Sequence, residues 1–173
     1  MGSEQGSEHG SERGGEQGAG AGRREGRMFR GHYTAKVDER GRVKLPAAFL
    51  ATVRERFDEE LFVTSLDGRH LRVYPLKTWL KIEERLLRVP SMSAARGKLL
   101  DRVNFFGQAA RLDKVGRFLI PQRLRGGANL DGEVVVLGLL DYLEVWNPSD
   151  FAAKLAREEL TEEDKRLLSE LGI

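Results

Sequence analysis

The sequence predicts an α+β protein, mainly β with short helices, in which two homologous repeats form one pseudo-symmetric barrel. The first observation is an internal repeat: YTAKVDERGRVKLPAAF (33–49) returns as QAARLDKVGRFLIPQRL (108–124) at a constant offset of 75 residues. The second is that apolar and polar residues alternate over short runs between turn signals, as they do in half-buried strands. A hairpin unit of this size cannot cover its own sheet faces, so we expect the two copies to pair into one barrel.

Each repeat carries the sequence D-x-x-G-R, which predicts a tight hairpin turn. Asp38 with Gly41, and Asp113 with Gly116, have the spacing of a type I turn whose last residue is left-handed. The glycine tolerates that conformation, and the aspartate can accept hydrogen bonds from the amides of the loop. The strands predicted before the turns span 34–37 and 110–112.

The prolines after the turns predict the start of a short helix. Pro46 and Pro121 lie in the first helical turn, where a missing N–H donor does no harm. Two apolar strands follow in each repeat, and Asp67-Gly68 is a strong hairpin signal between the first pair. The predicted helices span 47–57 and 122–125, and the predicted strands span 61–65, 71–74, 134–139 and 142–146.

Helical spacing of apolar residues predicts further helices over 75–89 and 94–106. Asn147 before Pro148 predicts a capped helix start, and Thr161 predicts a capping box. An acidic helix over 152–171 is expected to carry a leucine stripe. Packing of that stripe on its own domain is the simpler interpretation, and docking of a partner is the alternative. The stripe consists of Leu155, Leu160, Leu167, Leu168 and Leu171.

The chain divides into five predicted segments. Residues 1–27 contain nine glycines and no aromatic or branched aliphatic side chain, which predicts a disordered Gly/Ser/Glu-rich tail. Met28 could be the true start of the protein. The remaining segments are a first repeat (28–81), a helical linker (82–107), a second repeat (108–151) and a C-terminal helical segment (152–173).

Composition excludes several classes of function. The chain has 173 residues, of which 40% are hydrophobic and 32% charged, and it contains no cysteine for disulfides, thiolate metal sites or nucleophilic catalysis. The longest apolar run, 134–140, is too short for a membrane-spanning helix, and no signal peptide is visible. We therefore expect a cytoplasmic protein with no membrane partner.

The sequence contains no visible catalytic or metal-binding constellation. His9, His32 and His70 are scattered, and none has a second ligand at a metal-binding spacing. There is no phosphate-binding loop and no nucleophile elbow, so a hydrolase would lack a nucleophile–base pair. We expect a protein that is not an enzyme and has no cofactor, metal or small-molecule ligand.

The repeated turn is the candidate functional site. Arg42 and Arg117 start the outgoing strands, from which they are expected to project. The alternative is that each arginine pairs with the aspartate of its own turn and only stabilises the turn. Paired arginine-bearing hairpins suit the DNA major groove, which admits a two-stranded β-ribbon. Further positive charge would come from Arg40, Lys44 and Lys114.

Charge distribution is compatible with this hypothesis without demanding it. Residues 28–150 carry 21 Lys and Arg against 16 Asp and Glu, whereas both ends of the chain are slightly acidic. A mildly basic centre permits contact with nucleic acid. On charge alone, a solvated surface of mixed charge is the simpler interpretation.

Several blocks of the sequence resemble the MraZ family, bacterial transcriptional regulators of the AbrB/SpoVT-like swapped-hairpin class. The blocks are MFRGHY, VDERGRVKLP, LDKVGRFLIP, VYPLKTW and EVWNPSDF, and the resemblance runs from Met28 to about Phe151. It implies two tandem homologous swapped-hairpin repeats in one barrel, and protomers that assemble into a ring-shaped homo-oligomer.

The resemblance also implies a function and a site. Basic residues of the D-x-x-x-R loops would bind double-stranded DNA at direct repeats in the promoter of the division and cell wall gene cluster, in the nucleoid. Arg40 precedes Gly41, whereas Val115 precedes Gly116, so we expect the second loop to bind DNA less strongly. The alternative function is a protein-interaction or antitoxin-like module of the same fold.

Overall fold

The structure is a computed structural model that describes residues 28–173. It is α+β, with mostly short strands and short helices, and the tail predicted over 1–27 lies outside the described residues. The first repeat contains β1 (Phe29–Lys36), β2 (Arg42–Lys44), α1 (Ala47–Arg56), β3 (Glu60–Thr64), β4 (Leu71–Pro75) and α2 (Leu76–Leu87), and α3 (Ala94–Phe105) follows it. The second repeat contains β5 (Gln108–Arg111), β6 (Arg117–Leu119), α4 (Gln122–Gly127), β7 (Glu133–Leu140), β8 (Tyr142–Trp146) and α5 (Pro148–Arg157), and α6 (Glu162–Glu170) follows it.

The two repeats exchange strands in a six-stranded antiparallel sheet of order β1-β7-β8-β4-β3-β5. Strand β1 of the first repeat pairs with β7 of the second, and β5 of the second repeat pairs with β3 of the first. The two halves meet at the centre of the sheet, where β4 pairs with β8. Neither repeat therefore completes its own part of the sheet.

A second, two-stranded sheet joins the repeats at their turns. Strands β2 and β6 pair antiparallel, with Val43 directly opposite Phe118. Both of these side chains are buried, and they belong to the same apolar core as Leu61 and Val134 of the large sheet. We call this pair of strands the ribbon. One face of the ribbon contributes to the core, and the other faces solvent.

Strand pairing within residues 28–173 does not show the predicted barrel. The six-stranded sheet is open, and β1 and β5 are its two edges. The physical reason is that each D-x-x-G-R turn reverses the chain, so that β2 and β6 leave the sheet and pair with each other. The ribbon and the sheet share one core, and an isolated bridge between Val37 and Val43 links the end of β1 to β2.

Strand β1 begins five residues before the strand predicted over 34–37. Gly31 interrupts the apolar pattern of the sequence there, and in the structure it lies directly opposite Gly138 of β7. A Cβ atom on Gly138 would collide with the backbone of Phe29 and Arg30, so the glycine allows close approach of the two strands. Phe29 itself is buried in the core, which fixes the start of the strand.

The turns, hairpins and helix starts that the sequence predicts are confirmed, with ends shifted by one or two residues. Asn147 Oδ1 accepts hydrogen bonds from the amides of Ser149 and Asp150, and the Thr161–Asp164 capping box is present. None of the helices within residues 28–173 combines the length and the apolar character that crossing a bilayer requires.

The prediction of one continuous helix over 152–171 is wrong, whereas the predicted capping-box start at Thr161 is confirmed: it begins a separate final helix, α6, after α5 has ended at Arg157. Own-domain packing of the leucine stripe is also wrong for most of its members. Leu155 and Leu171 are 58% and 71% exposed, and Leu160 and Leu167 are similarly exposed. The second repeat therefore ends in an apolar helical surface that the described chain leaves uncovered.

Candidate nucleic-acid interface

The first turn is held by a single carboxylate, that of Asp38. Its Oδ1 atom accepts hydrogen bonds from the backbone amides of Arg40 (3.0 Å) and Arg42 (2.9 Å). The backbone carbonyl of Asp38 accepts from the amide of Gly41 at 2.8 Å, and Gly41 has a φ of +75°. A residue with a Cβ atom adopts this left-handed conformation only with strain, which explains the glycine.

The second oxygen of Asp38 binds the side chain of Arg42. Arg42 donates from Nε to Asp38 Oδ2 at 2.9 Å, and its Nη2 atom lies 2.7 Å from the same oxygen. This side-chain hydrogen bond, followed by the bond from the Arg42 amide, lowers the pKa of Asp38 to about 2. The structure thus shows the pairing that the sequence left open as an alternative, although 28% of the Arg42 side chain remains exposed.

The second turn repeats this geometry. Asp113 Oδ1 accepts from the amides of Val115 (3.0 Å) and Arg117 (2.9 Å), and Oδ2 accepts from Arg117 Nε at 2.8 Å. The bond from the Arg117 amide is the largest cause of a lowered pKa at Asp113. Arg117 Nη1 also lies 4.0 Å from Asp38 Oδ2 of the first turn. The two turns therefore share one cluster of charges.

The solvent-facing side of the ribbon carries three cations and one leucine. Arg42 lies opposite Leu119, and Lys44 lies opposite Arg117. Lys44 and Leu119 occupy equivalent positions in the two repeats, and both side chains are exposed. Cationic groups therefore lie on both strands, two of them paired with the aspartates of the turns, and an apolar side chain lies at one corner.

The helix after each turn covers the glycine of the other turn. A Cβ atom on Gly41 would collide with the guanidinium of Arg125 from α4, and one on Gly116 would collide with the side chain of Leu50 from α1. Arg125 and Leu50 are equivalent positions at the offset of 75 residues, so the two turns have chemically different covers. Our sequence reasoning missed Arg125, although alignment of the two repeats pairs it directly with Leu50.

The second turn has a further anchor that the first turn lacks at the equivalent position. Arg54 of α1 donates from Nη2 to the backbone carbonyl of Lys114 at 3.2 Å, while its Nε binds Glu59 at 3.0 Å. Asn129 stands at the position equivalent to Arg54 in the second repeat. Of the predicted basic residues at the loop tips, Arg40 and Lys114 are both exposed.

A buried polar cluster at the junction of the repeats was also missed. His70 Nε2 lies 3.3 Å from Glu144 Oε1, and the His70 ring stacks on Trp146. Burial opposes ionisation of Glu144, but hydrogen bonds from His70 and Trp146 and the charge of Arg72 keep its pKa below the ordinary value. The pairing of β4 with β8 brings these residues together, because it places Arg72 directly opposite Glu144, and the sequence did not predict that pairing.

This buried cluster has no metal-binding geometry. Within residues 28–173, no group of three or more His, Asp or Glu residues is placed to hold a metal ion. The charged turns are therefore the arrangement with the clearest capacity to bind another molecule, and their chemistry suits an anionic polymer.

The fold and the turns define a class of protein in which two tandem repeats exchange strands and present paired D-x-x-G-R hairpins joined by a ribbon. A family model described as "MraZ protein, putative antitoxin-like" matches residues 28–102 and 106–171. The chain belongs to the MraZ family, which confirms the resemblance drawn from the sequence blocks.

Curated relatives of similar length are named transcriptional regulator MraZ. The chain is 44% identical to the one from Acidobacterium capsulatum over 146 residues, which cover 84% of this chain and 100% of that relative. It is 40% identical over 147 residues to the one from Koribacter versatilis, with the same coverage. Identity to the relative from Caldicellulosiruptor saccharolyticus is 37% over 148 residues, again covering 84% and 100%.

Proposed function

We propose that this chain is a transcriptional regulator that binds promoter DNA through its ribbon, chiefly at the first turn. The observation that carries the proposal is the solvent-facing side of the ribbon, where Arg42, Lys44 and Arg117 lie on two paired strands. A two-stranded β-ribbon fits the major groove of B-DNA, and arginine is the residue that most often reads guanine there. The names of the relatives support the same function.

The pairing of Arg42 with Asp38 is compatible with reading a base. Arg42 uses its Nε and Nη2 atoms toward Asp38, and both contacts go to one oxygen. The outer edge of the guanidinium, between Nη1 and Nη2, retains N–H donors for a second partner. Asp38 therefore fixes the direction of the arginine before DNA arrives, which reduces the entropy lost on binding.

Arg117 of the second turn faces the aspartates of both turns, and 34% of its side chain is exposed against 28% for Arg42. Its Nε binds Asp113, and its Nη1 faces Asp38 of the first turn at 4.0 Å. Two carboxylates thus lie near this guanidinium, whereas one lies near that of Arg42. Together with Val115 at the loop tip, this supports a weaker contribution of the second turn to DNA binding.

Assembly and target complete the proposal. We propose that protomers form a ring-shaped homo-oligomer that presents its first turns to direct repeats upstream of the division and cell wall gene cluster, in the nucleoid. Family membership supports this part of the proposal. Light scattering of the purified protein, alone and with promoter DNA, measures the assembly directly.

Fluorescence anisotropy on DNA from upstream of the protein's own gene tests the proposal. The titration is compared with scrambled DNA of equal length at two salt concentrations. We expect tighter binding to the promoter by several kcal/mol, as specific protein–DNA contacts provide. Equal and steeply salt-dependent binding to both DNAs would show that the ribbon contacts only phosphates, without sequence preference, and would contradict the proposal.

A second candidate function, a protein-interaction module, is favoured by one observation. The segment 155–171, which includes the end of α5 and all of α6, exposes four leucines, an arrangement that often marks a protein contact. The variant Leu167→Glu with Leu171→Glu discriminates between the two functions. If DNA binding and assembly are unchanged while a defined protein partner is lost, this surface serves a separate interaction.

A further inference from the structure

We propose that Arg125 is a phosphate-binding residue of the first turn, although it belongs to the second repeat. This inference rests on the proposed DNA-binding function and assigns a contact within it. It follows from three observations about the side chain of Arg125: its position over Gly41, the unpaired state of its Nε atom, and the leucine at the equivalent position in the first repeat.

The guanidinium of Arg125 lies directly against the glycine of the first turn. A Cβ atom on Gly41 would collide with Nη1, Cζ and Nε of Arg125. Glycine is therefore required at position 41 for two reasons: the backbone has a positive φ there, and the guanidinium occupies the space that a Cβ atom would need. The delocalised positive charge of Arg125 therefore lies next to the backbone of Gly41, the residue directly before Arg42.

The Nε atom of Arg125 is buried and has no hydrogen-bond partner among the described residues. A buried donor on a charged group is destabilising when it has no acceptor, so such groups in native structures usually have a ligand, an ion or a water as partner. A phosphate group suits a guanidinium, because two of its oxygens can accept parallel hydrogen bonds from the forked N–H donors and they carry the opposite charge.

The first turn has little remaining negative charge to repel such a phosphate. The Asp38 carboxylate is occupied by Arg42 and by backbone amides, which leaves Glu39 as the acidic side chain of the loop. Arg40 and Lys44 are exposed on the same turn and strand. Arg125 therefore adds charge where the turn already favours an anion.

The equivalent site on the second turn cannot bind a phosphate in this way. Leu50 covers Gly116 there, and it packs against the apolar core. The duplicated fold thus places a cation over one turn and a hydrocarbon over the other. This difference gives the first turn an additional phosphate contact, which explains an asymmetry between loops of identical backbone geometry.

The test uses Arg125→Leu, which copies the residue found at the equivalent position 50, and Arg123→Leu as the matched control. Arg123 lies two residues away on the same helix, with its guanidinium 4.4 Å from the centre of the Phe105 ring. Both variants lose one positive charge. Binding of own-promoter DNA is measured by anisotropy over a range of salt concentrations, with thermal unfolding as the check of folding.

We expect Arg125→Leu to reduce the slope of log K against log salt by about 0.9, the value for one phosphate contact, and to weaken binding at low salt by about tenfold. Arg123→Leu should leave the slope unchanged. Arg125→Lys should retain most of the slope, and Arg125→Gln should lose it, which covers the case in which leucine disturbs folding.

Three outcomes would overturn the inference. An unchanged slope for Arg125→Leu and Arg125→Gln, with promoter binding retained, removes the contact and leaves the proposed function intact. Equal losses for Arg125→Leu and Arg123→Leu show that the charge of the helix acts without a contact at Gly41. Failure of the wild-type protein to prefer its promoter rejects the proposed function itself, and the inference with it.

Discussion

The two turns have the same backbone and hydrogen bonds, but they differ in what surrounds them. In both, one aspartate oxygen caps two amides and the other holds an arginine. The first turn has Arg40 at its tip and Arg125 over its glycine, whereas the second has Val115 and Leu50. Both turns thus have the geometry that orients an arginine. The residues that cover the two glycines differ, so that one turn is charged and the other is more apolar.

The helices that follow the two repeats differ in how much apolar surface they bury. In α3, Val103 is 2% exposed and packs with Trp79 of α2 and Tyr74 of β4. In α6, no residue is buried, and Leu167 and Leu171 face solvent. The helices of the first repeat therefore bury part of their apolar surface within the chain, although Leu87 and Phe105 stay exposed, whereas α6 buries none of its residues.

The largest expected effect concerns the centre of the ribbon, where Val43 faces Phe118. Phe118→Ala should lower the free energy of unfolding by about 3–5 kcal/mol, because it removes a buried ring and leaves a cavity. Val43→Ala removes two methyl groups and should cost about 2 kcal/mol. Urea denaturation measures both. Equal losses would show that the two strands are packed more symmetrically than the structure indicates.

The next largest expected effect is a difference between the two turn glycines in how much an alanine substitution lowers the free energy of unfolding. Gly41→Ala and Gly116→Ala both place a Cβ atom at positive φ, which costs about 1–2 kcal/mol. Gly116→Ala should destabilise more, because Leu50 packs against the core, whereas the guanidinium of Arg125 ends a flexible side chain that can move. Urea denaturation measures both losses, and a larger loss for Gly41→Ala would contradict this prediction.

The variant Leu50→Arg should make the second turn resemble the first. It places a guanidinium over Gly116, as Arg125 does over Gly41. The salt dependence of promoter binding should become steeper, by up to about 0.9 in slope. An unchanged slope in a folded protein would show that the second turn lies away from DNA, and that docking rather than the covering residue makes the turns unequal.

The smallest effect is a change in the pKa of Asp38. Because its pKa of about 2 lies below the ordinary 3.8, its ionised form stabilises the folded turn above pH 3.8 and loses this effect as pH falls through about 2. Arg42→Ala should raise the pKa toward 3.8, as followed by carboxyl ¹³C NMR, with Asp113 as the internal control. A pKa that stays at about 2 would mean that the amides alone hold the carboxylate.

Local features of this fold were predictable from the sequence, and contacts between the repeats were not. The D-x-x-G-R spacing and the Asn147 cap depend on residues within four positions of each other, and the structure confirms them. The exchange of β1 and β5, and the cover of Gly41 by Arg125, depend on residues from different repeats. The pairing of Arg42 with Asp38 was left open, since the sequence cannot show whether a side chain turns back or outward.

The comparison of Arg42→Ala with Arg117→Ala on promoter DNA tests the central claim most directly. We expect Arg42→Ala to weaken binding by roughly 1–3 kcal/mol, the value of one bidentate arginine–guanine contact, and Arg117→Ala to weaken it less. The double variant Asp38→Asn with Arg42→Ala controls for the carboxylate that the single change leaves unpaired. If Arg42→Ala binds as tightly as wild type, or Arg117→Ala loses more, the first turn is not the principal DNA contact.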